Sequence, residues 1–367
     1  MTIALIHLGR KGAGPLFMLE LAKMFQNSGQ DVVLIYSKYA QIASRFEDLG
    51  VPSLVVDTFK NAMQAVMGLW RLPRISKSIT LFLEANKVTS IVVPMEQVWQ
   101  SFLSRSYGAK WPVLLFVHDA EAHFGEGSVL KKIIANSERR HASGAMTLSN
   151  HAAALLRSSR IFPADKIWTS IHPAFIANIE YSRVRSLPKD HVPVVGFFGR
   201  MVKYKGLDLG LKSIDILRKR GYQVMFSIVG EGVQRDLPYL SDSGNIVDDR
   251  WVPEDEIQTV LNSFDILLLP YIEASQSGVF AYAMSLGIPT VVTPVGGLLE
   301  QAEASQSSLI ATEVSANALA DDLERLITEE GLYSALSASA LKSSQEFFSW
   351  KRLASDTLEA TREISKQ

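Results

Sequence analysis

The chain has 367 residues, of which 47% are hydrophobic and 20% charged, as expected for a globular protein with room for two domains. It contains no cysteine, which excludes disulfides, thiolate metal sites and cysteine nucleophiles. Its net charge is −1, but residues 1–187 carry +8 and residues 188–367 carry −9.

The amino-terminal half predicts alternating strands and helices. Apolar runs predict five strands, at Ile3–Leu8, Val32–Tyr36, Ser53–Val56, Ile91–Pro94 and Val113–His118. The opening residues are predicted to form the first of these strands rather than a signal peptide. No apolar run reaches the length of a membrane span. We therefore expect a cytoplasmic protein. A loop with Gly12 and Gly14 precedes a predicted helix at Leu16–Ser28, a weak sign of a Rossmann-like domain.

A basic stretch without any acid runs from Thr58 to Leu83. Its cations alternate with large apolar side chains: Lys60, Arg71, Arg74 and Lys77 lie among Phe59, Met63, Val66, Trp70, Leu72 and Phe82. Such a stretch can lie on an anionic membrane surface, or it can be a packed helix with solvated charges. We predict membrane docking, because the charge of the whole half agrees with it.

The chain is expected to divide near a charged, proline-containing linker at residues 177–192. This predicts an amino-terminal domain at 1–187, a carboxyl-terminal domain at 188–345, and a final helix at 346–367. No recognisable nucleic-acid reading motif is present in the basic half, so nucleic-acid binding is not expected.

Two cations follow the first predicted strand of the second domain. Val192–Phe198 is apolar and ends at Gly199, after which come Arg200, Lys205 and a predicted helix at Leu207–Arg220. Cations at the carboxyl end of a buried strand, just before a helix, are placed to bind a diphosphate. The alternative is a pair of solvated surface cations.

Three more apolar runs in this half also end in glycine-bearing loops. Val224–Val229 leads to Glu231, Ile266–Leu269 leads to Glu273 and on to residues 277–279, and Thr290–Thr293 leads to a Gly-Gly pair. Four such strands predict an open α/β sheet with its ligand crevice along the carboxyl edge.

These motifs together resemble the donor-binding half of family 4 of the retaining glycosyltransferases. The run Gly-Arg-x4-Lys-Gly, then Val-Gly-Glu-Gly, Ala-Met-Ser-Leu-Gly-Ile-Pro-Thr-Val-Val-Thr and Val-Gly-Gly-x-x-Glu, cover residues 192–302 closely, whereas the first half fits loosely. The resemblance implies the GT-B architecture, in which two Rossmann-like domains face each other across a cleft. It also implies a terminal helix that crosses back onto the first domain, with Trp350 as its anchor.

The resemblance further implies transfer of a sugar from a UDP- or GDP-sugar to a lipid-linked or polysaccharide acceptor in cell-surface glycan synthesis. Neither a metal nor a further cofactor is expected, because cations and helix amides neutralise the diphosphate. The catalytic residues would be His118, which faces the transferred sugar, with Arg200 and Lys205. The donor-binding residues would be Gly12, Gly14, Gly199, Arg200, Lys205, Glu231, Glu273, Ser277, Gly278, Val279 and Tyr282.

The sequence departs from this family at one carboxylate. The family commonly has two glutamates spaced E-x7-E, and Glu273 can stand near the first of them. The second then falls on Ala281. The other alignment places Ala274 at the first position and Tyr282 at the second, so the second carboxylate is missing in both. A phenol forms one hydrogen bond but cannot bridge two ribose hydroxyls as a carboxylate does.

Two other functions share the architecture. A nucleotide-sugar epimerase would need several cleft acids, and the first half offers few beyond Glu96, Asp119 and Glu121. A catalytically silent sugar-nucleotide binding protein would explain the missing glutamate, but it need not keep Arg200, Lys205 and Gly278.

Overall fold

A computed structural model describes residues 1–121, 129–175, 180–187, 189, 191–232, 240, 244–329 and 331–366. These residues form two compact units. The first consists of the described residues of 1–170 together with 350–366, and the second of residues 171–349.

The units divide earlier than the predicted boundary between residues 187 and 188. The reason is that the segment after residue 170 packs within the second unit. The ring of Phe175 stacks on that of Tyr282 at 4.0 Å, and Arg185 donates a hydrogen bond to the Leu286 carbonyl at 2.9 Å. Residues 177–179, 188 and 190 of the predicted linker lie outside the described residues.

The first unit is built on a parallel sheet of seven strands with the order β3-β2-β1-β4-β5-β6-β7. Its strands are β1 (Thr2–His7), β2 (Asp31–Ser37), β3 (Ser53–Val56), β4 (Val88–Val93), β5 (Val113–Phe116), β6 (Gly144–Thr147) and β7 (Ile167–Thr169). Its first seven helices are α1 (Ala13–Asn27), α2 (Ala43–Glu47), α3 (Ala62–Met67), α4 (Leu72–Ala85), α5 (Val98–Gly108), α6 (Val129–Arg140) and α7 (Asn150–Ser158).

The second unit is built on a parallel sheet of six strands with the order β10-β9-β8-β11-β12-β13. Its strands are β8 (Val194–Phe198), β9 (Met225–Val229), β10 (Ile246–Asp248), β11 (Ile266–Leu269), β12 (Thr290–Val292) and β13 (Ser308–Ile310). Its helices are α8 (Leu207–Lys219), α9 (Glu254–Asn262), α10 (Gly278–Ser285), α11 (Gly296–Ser305), α12 (Ala316–Thr328) and α13 (Leu332–Glu346).

Burial explains why the central strands could be recognised from sequence. β5 and β11 are buried at every position, as parallel strands covered on both faces must be. In each sheet the strand order reverses once, between β1 and β4 and between β8 and β11. Ligands of open α/β sheets bind at the carboxyl ends of the strands at such reversals. Each unit therefore has one topologically favoured site.

The last helix, α14 (Trp350–Ile364), belongs to the first unit. It packs on α1, and the Trp350 ring meets Phe17 edge-to-face with centroids 5.0 Å apart. Leu353 and Ile364 are also buried on this face. The chain thus returns to the first unit after completing the second. Among the helices of the described residues, none combines the length and apolarity needed to cross a bilayer.

Replacing Trp350 by alanine should lower the free energy of unfolding by about 3–5 kcal/mol, because it removes a large side chain that is only 4% exposed. Urea unfolding followed by circular dichroism measures this. Trp70→Ala is the matched control, since Trp70 is 71% exposed, and it should change the free energy by less than about 0.5 kcal/mol. Equal losses for the two variants would contradict the packing of α14.

Candidate functional site

The loop after β8 places a lysine ammonium at the sheet reversal of the second unit. Gly199 has a φ of 113°, and the chain then forms a short 3-10 helix at Lys203–Lys205 before α8. The Lys205 Nζ lies 2.7 Å from the position that a Cβ on Gly199 would take, and 5.2 Å from the centre of the Tyr271 ring. A side chain at residue 199 would therefore displace the ammonium.

Direct backbone contacts hold this loop against its neighbours. The Gly199 N–H donates to the Val229 carbonyl at 3.0 Å, and the Met201 N–H donates to the Glu231 carbonyl at 2.9 Å. A Cβ on Gly230, where φ is 146°, would overlap the Gly199 carbonyl oxygen. The loops after β8 and β9 are thereby fixed relative to each other. The side chains of Arg200 and Glu231 are exposed beside them.

The amino terminus of α10 meets the same glycine. A methyl carbon of Val279 lies 3.7 Å from the Cβ position of Gly199. The Ser277 hydroxyl caps the helix by accepting from the Phe280 N–H at 3.2 Å, and the Ser277 N–H donates to Gln301 Oε1 of α11 at 2.7 Å. N–H groups in the first turn of a helix have no acceptor within the helix, and the helix dipole makes this end positive. A cation and a helix amino terminus thus converge on Gly199.

Two aromatic residues at this terminus were missed by the sequence analysis. His172 is buried, with Nε2 3.9 Å from the Cβ position of Gly278, and Phe175 lies 3.7 Å from the same point. The Phe175 ring stacks on Tyr282, which fixes the plane of that phenol. Both residues lie in a segment without helix or strand that was predicted to belong to the first domain. No local signal identifies them.

In the first unit, His118 follows β5 and is held by a backbone group of the neighbouring strand end. Its Nε2 lies 2.9 Å from the Pro94 carbonyl oxygen, and its ring meets Phe17 edge-to-face. Burial is the main cause that lowers the pKa of His118, so the imidazole is neutral at pH 7. With Nε2 carrying the proton toward Pro94, Nδ1 is left as a hydrogen-bond acceptor.

The glycine loop after β1 closes over a second histidine that the sequence analysis missed. A Cβ on Gly9 or on Gly14 would overlap the His7 ring. His7 is buried, and its Nδ1 has no hydrogen-bond partner among the described residues. Burial lowers the pKa of His7 to about 4, and His118 contributes to this lowering. The predicted Gly14 is therefore required by the His7 ring beneath it, whereas Gly12 provides a φ of 85° at the start of α1.

A buried polar network supports the loop that carries His118. Arg139 pairs with both oxygens of Glu96, at 2.8 and 3.0 Å, and donates to the carbonyls of Asp119 and Ala120. Glu96 is thus engaged by an arginine rather than presented as a free acid. Nearby, desolvation raises the pKa of the buried Glu138 to about 7, with a further contribution from Glu96.

The predicted residues therefore gather in two places. Gly199, Lys205, Ser277, Gly278, Val279 and Tyr282 lie around the amino terminus of α10, with Arg200 on the same loop as Lys205, and Glu231 and Glu273 on the loops after β9 and β11. Gly12, Gly14 and His118 lie at the carboxyl ends of β1 and β5. Among the described residues, no three acidic or histidine side chains are grouped as metal ligands.

Residues 192–329 match the protein family described as glycosyl transferases, group 1. The chain is 29% identical over 205 residues to the 2-deoxystreptamine glucosyltransferase of Streptomyces kanamyceticus, which covers 52% of each protein. It is 26% identical over 172 residues to a capsular polysaccharide biosynthesis glycosyltransferase of Staphylococcus aureus, which covers 44% of this chain and 45% of the relative. The chain thus spans about half the length of the curated relatives that it matches.

The crystal structure of the Anabaena HepE protein in complex with UDP-glucose has a TM-score of 0.72 to this chain, with 16% identity and full coverage of both chains. At this identity the likeness shows the fold alone. The predicted fold class, two Rossmann-like domains of the GT-B type, is confirmed. The predicted similarity to glycosyltransferases is confirmed for the group 1 segment, whereas membership of family 4 and the retaining mechanism stay predictions.

The neutral His7 should make stability depend on pH. The folded state holds this imidazole neutral down to a pH of about 4, whereas the unfolded chain binds a proton near pH 6.5. Stability should therefore fall as the pH drops from about 6.5 to 4, by about 3 kcal/mol from this group. The raised pKa of Glu138 acts in the opposite sense, lowering stability as the pH rises from 4.5 to about 7.

The comparison of wild type with His7→Gln isolates the histidine, because the Glu138 contribution is common to both. As the pH falls from 7 to 4, the urea midpoint of the variant should rise relative to that of the wild type, because the variant lacks the loss of stability that His7 causes in acid. His151→Gln, at an exposed histidine of α7, is the matched control. Parallel pH profiles for wild type and His7→Gln would contradict the assignment.

Proposed function

We propose that this protein is a retaining glycosyltransferase that moves a sugar from a nucleoside-diphosphate sugar to a lipid-linked or polysaccharide acceptor. The observation that carries the proposal is the convergence of the Lys205 ammonium and the α10 amino terminus on Gly199, at the strand reversal of the second sheet. The match of residues 192–329 to group 1 glycosyl transferases supports it. Two of the relatives also support it, since one is a glucosyltransferase and the other takes part in capsular polysaccharide biosynthesis.

The proposed role of each group at the site follows from where negative charge develops during the reaction. Breaking the bond between the sugar and the diphosphate leaves negative charge on the departing phosphate oxygens. Fixed positive groups that are already oriented stabilise this charge with little reorganisation. Lys205 suits this role because its ammonium lies over the Tyr271 ring rather than in an ion pair with any described carboxylate. Arg200 adds a planar guanidinium with several donors, and Gly278 and Val279 add amide groups.

The neutral state of His118 agrees with a role as acceptor of a hydrogen bond from the transferred sugar. A protonated imidazole would repel the positive charge that develops on the sugar ring as the leaving group departs. No general base is assigned in this proposal, because the departing phosphate can take the proton of the acceptor hydroxyl. The epimerase alternative is not favoured, since Glu96 is already paired with Arg139.

Arg200→Ala and Lys205→Ala should each weaken the binding of a nucleoside diphosphate at least tenfold. The loss of one charge-assisted phosphate contact costs about 1.5–3 kcal/mol. Isothermal titration calorimetry with the base chosen from a thermal-shift panel of UDP, GDP, ADP and CDP measures the effect. Lys203→Ala, an exposed lysine in the same loop, is the matched control and should bind like the wild type. Wild-type affinity for the nucleoside diphosphate in both the Arg200 and Lys205 variants would contradict the proposed diphosphate site.

Sugar transfer should persist in excess EDTA. The donor loops supply cations and helix amides for the diphosphate, and the sequence has no Asp-x-Asp pair to hold a divalent ion against it. The measurement is the initial rate of transfer with and without chelator, and with Mg²⁺ or Mn²⁺ added back. A strict requirement for added divalent ion would replace this proposal by a metal-assisted mechanism.

A further inference from the structure

One face of α3 and the turn that follows it presents large apolar side chains to solvent. Met63, Val66, Met67 and Trp70 are 73%, 69%, 68% and 71% exposed. Their spacing of three, one and three residues places them on one side of a helix. We call these four residues the α3 stripe. An apolar surface of this kind, which no described residue covers, marks an interaction site rather than ordinary surface scatter.

The opposite face of α3 is fixed by a buried indole, so the stripe cannot rotate inward. The Trp99 side chain is fully buried, and its Nε1 donates to the Ala65 carbonyl at 2.9 Å. A Cβ on Gly68 would lie 2.8 Å from the Trp99 ring. At the start of the helix, Asn61 caps the Gln64 N–H at 2.9 Å. The exposure of the stripe is thus a consequence of how the helix is anchored.

The exposed charges of the chain segment that carries the stripe are positive. The exposed cations of this segment are Lys60, Arg74 and Lys77, and no acid occurs between Thr58 and Leu83. The two acids that flank the segment are neutralised by ion pairs, Asp57 with Arg71 at 2.8 Å and Glu84 with Lys110 at 3.1 Å. An apolar surface on a segment whose exposed charges are all cations is complementary to anionic lipid headgroups.

We propose that the α3 stripe docks into the headgroup region of an anionic lipid bilayer, with Lys60, Arg74 and Lys77 among the lipid phosphates. Trp70 is suited to this depth because an indole places an apolar ring and a polar N–H at the water–lipid boundary. Docking would bring the protein to the membrane that holds a lipid-linked acceptor, and only this consequence rests on the proposed function. Docking itself is measured without any sugar transfer.

The test is co-sedimentation of the full chain with vesicles of phosphatidylcholine containing 0 or 30% phosphatidylglycerol, at low and high salt. Binding should require the anionic lipid and fall steeply with salt, since exposed charges are screened over about 8–10 Å. The double variant Met67→Ser with Trp70→Ala should bind about tenfold more weakly, and so should Arg74→Glu with Lys77→Glu.

The matched controls lie in the second unit. Lys212→Glu with Lys219→Glu, at exposed lysines of α8, makes the same change in net charge, and Val314→Ser removes an exposed apolar side chain. Both should bind vesicles like the wild type. All variants carry changes at exposed positions, and their thermal shift with the preferred nucleoside diphosphate should match the wild type.

Two outcomes overturn the docking proposal. One is wild-type protein that fails to bind vesicles or binds neutral and anionic vesicles equally. The other is a stripe variant that keeps vesicle binding while light scattering shows a dimer turned into a monomer, which would assign the stripe to a second copy of the chain. Either result in a protein that still binds the nucleotide leaves the proposed function intact. Vesicle binding by a protein that binds no nucleotide would overturn the proposed function instead.

Discussion

Direct contact between backbones organises the carboxyl edge of the second sheet. A Cβ on Gly230 would overlap the carbonyl oxygen of Gly199, and a Cβ on Gly206 would overlap that of Pro270. Three loops, after β8, β9 and β11, can therefore approach one another only where no side chain intervenes. Because the loops are fixed in this way, the Lys205 ammonium and the amino terminus of α10 share one small region. Their positive potentials add there.

The candidate site residues of the two units differ in charge. The second unit gathers a lysine, an arginine and the positive end of a helix around Gly199. The first unit instead buries His7 and His118 as neutral imidazoles, because desolvation lowers the pKa of both. The ion pair of Arg139 and Glu96 fixes the loop after β5. Breaking such a pair from one side leaves an uncompensated charge, which makes this loop costly to rearrange.

Burial is also distributed unevenly within the first unit. Trp99 lies inside and fixes the inner face of α3, whereas Trp70 of the adjacent turn is exposed. Both are tryptophans in the same half of the chain, with apolar neighbours in sequence. Composition and periodicity alone did not show which apolar side chains are buried and which are exposed in the segment from Thr58 to Leu83. The packing of Gly68 against the indole of Trp99 determines which face of α3 is exposed.

The fold class, the positions of most strands along the chain and the loop that carries Arg200 and Lys205 were predicted from the sequence. Fully buried parallel strands have uninterrupted apolar runs, and the glycines that follow them are required by local backbone geometry, so both leave a signal within a few residues. The sequence could not place the division of the units or the contributions of His172, Phe175 and His7. Those depend on contacts between residues far apart in the chain, as when Phe175 stacks on Tyr282 or when Gly14 closes over the ring of His7. Such contacts form only when the chain folds, and the burial and the pKa of a side chain are set by the neighbours that folding brings to it.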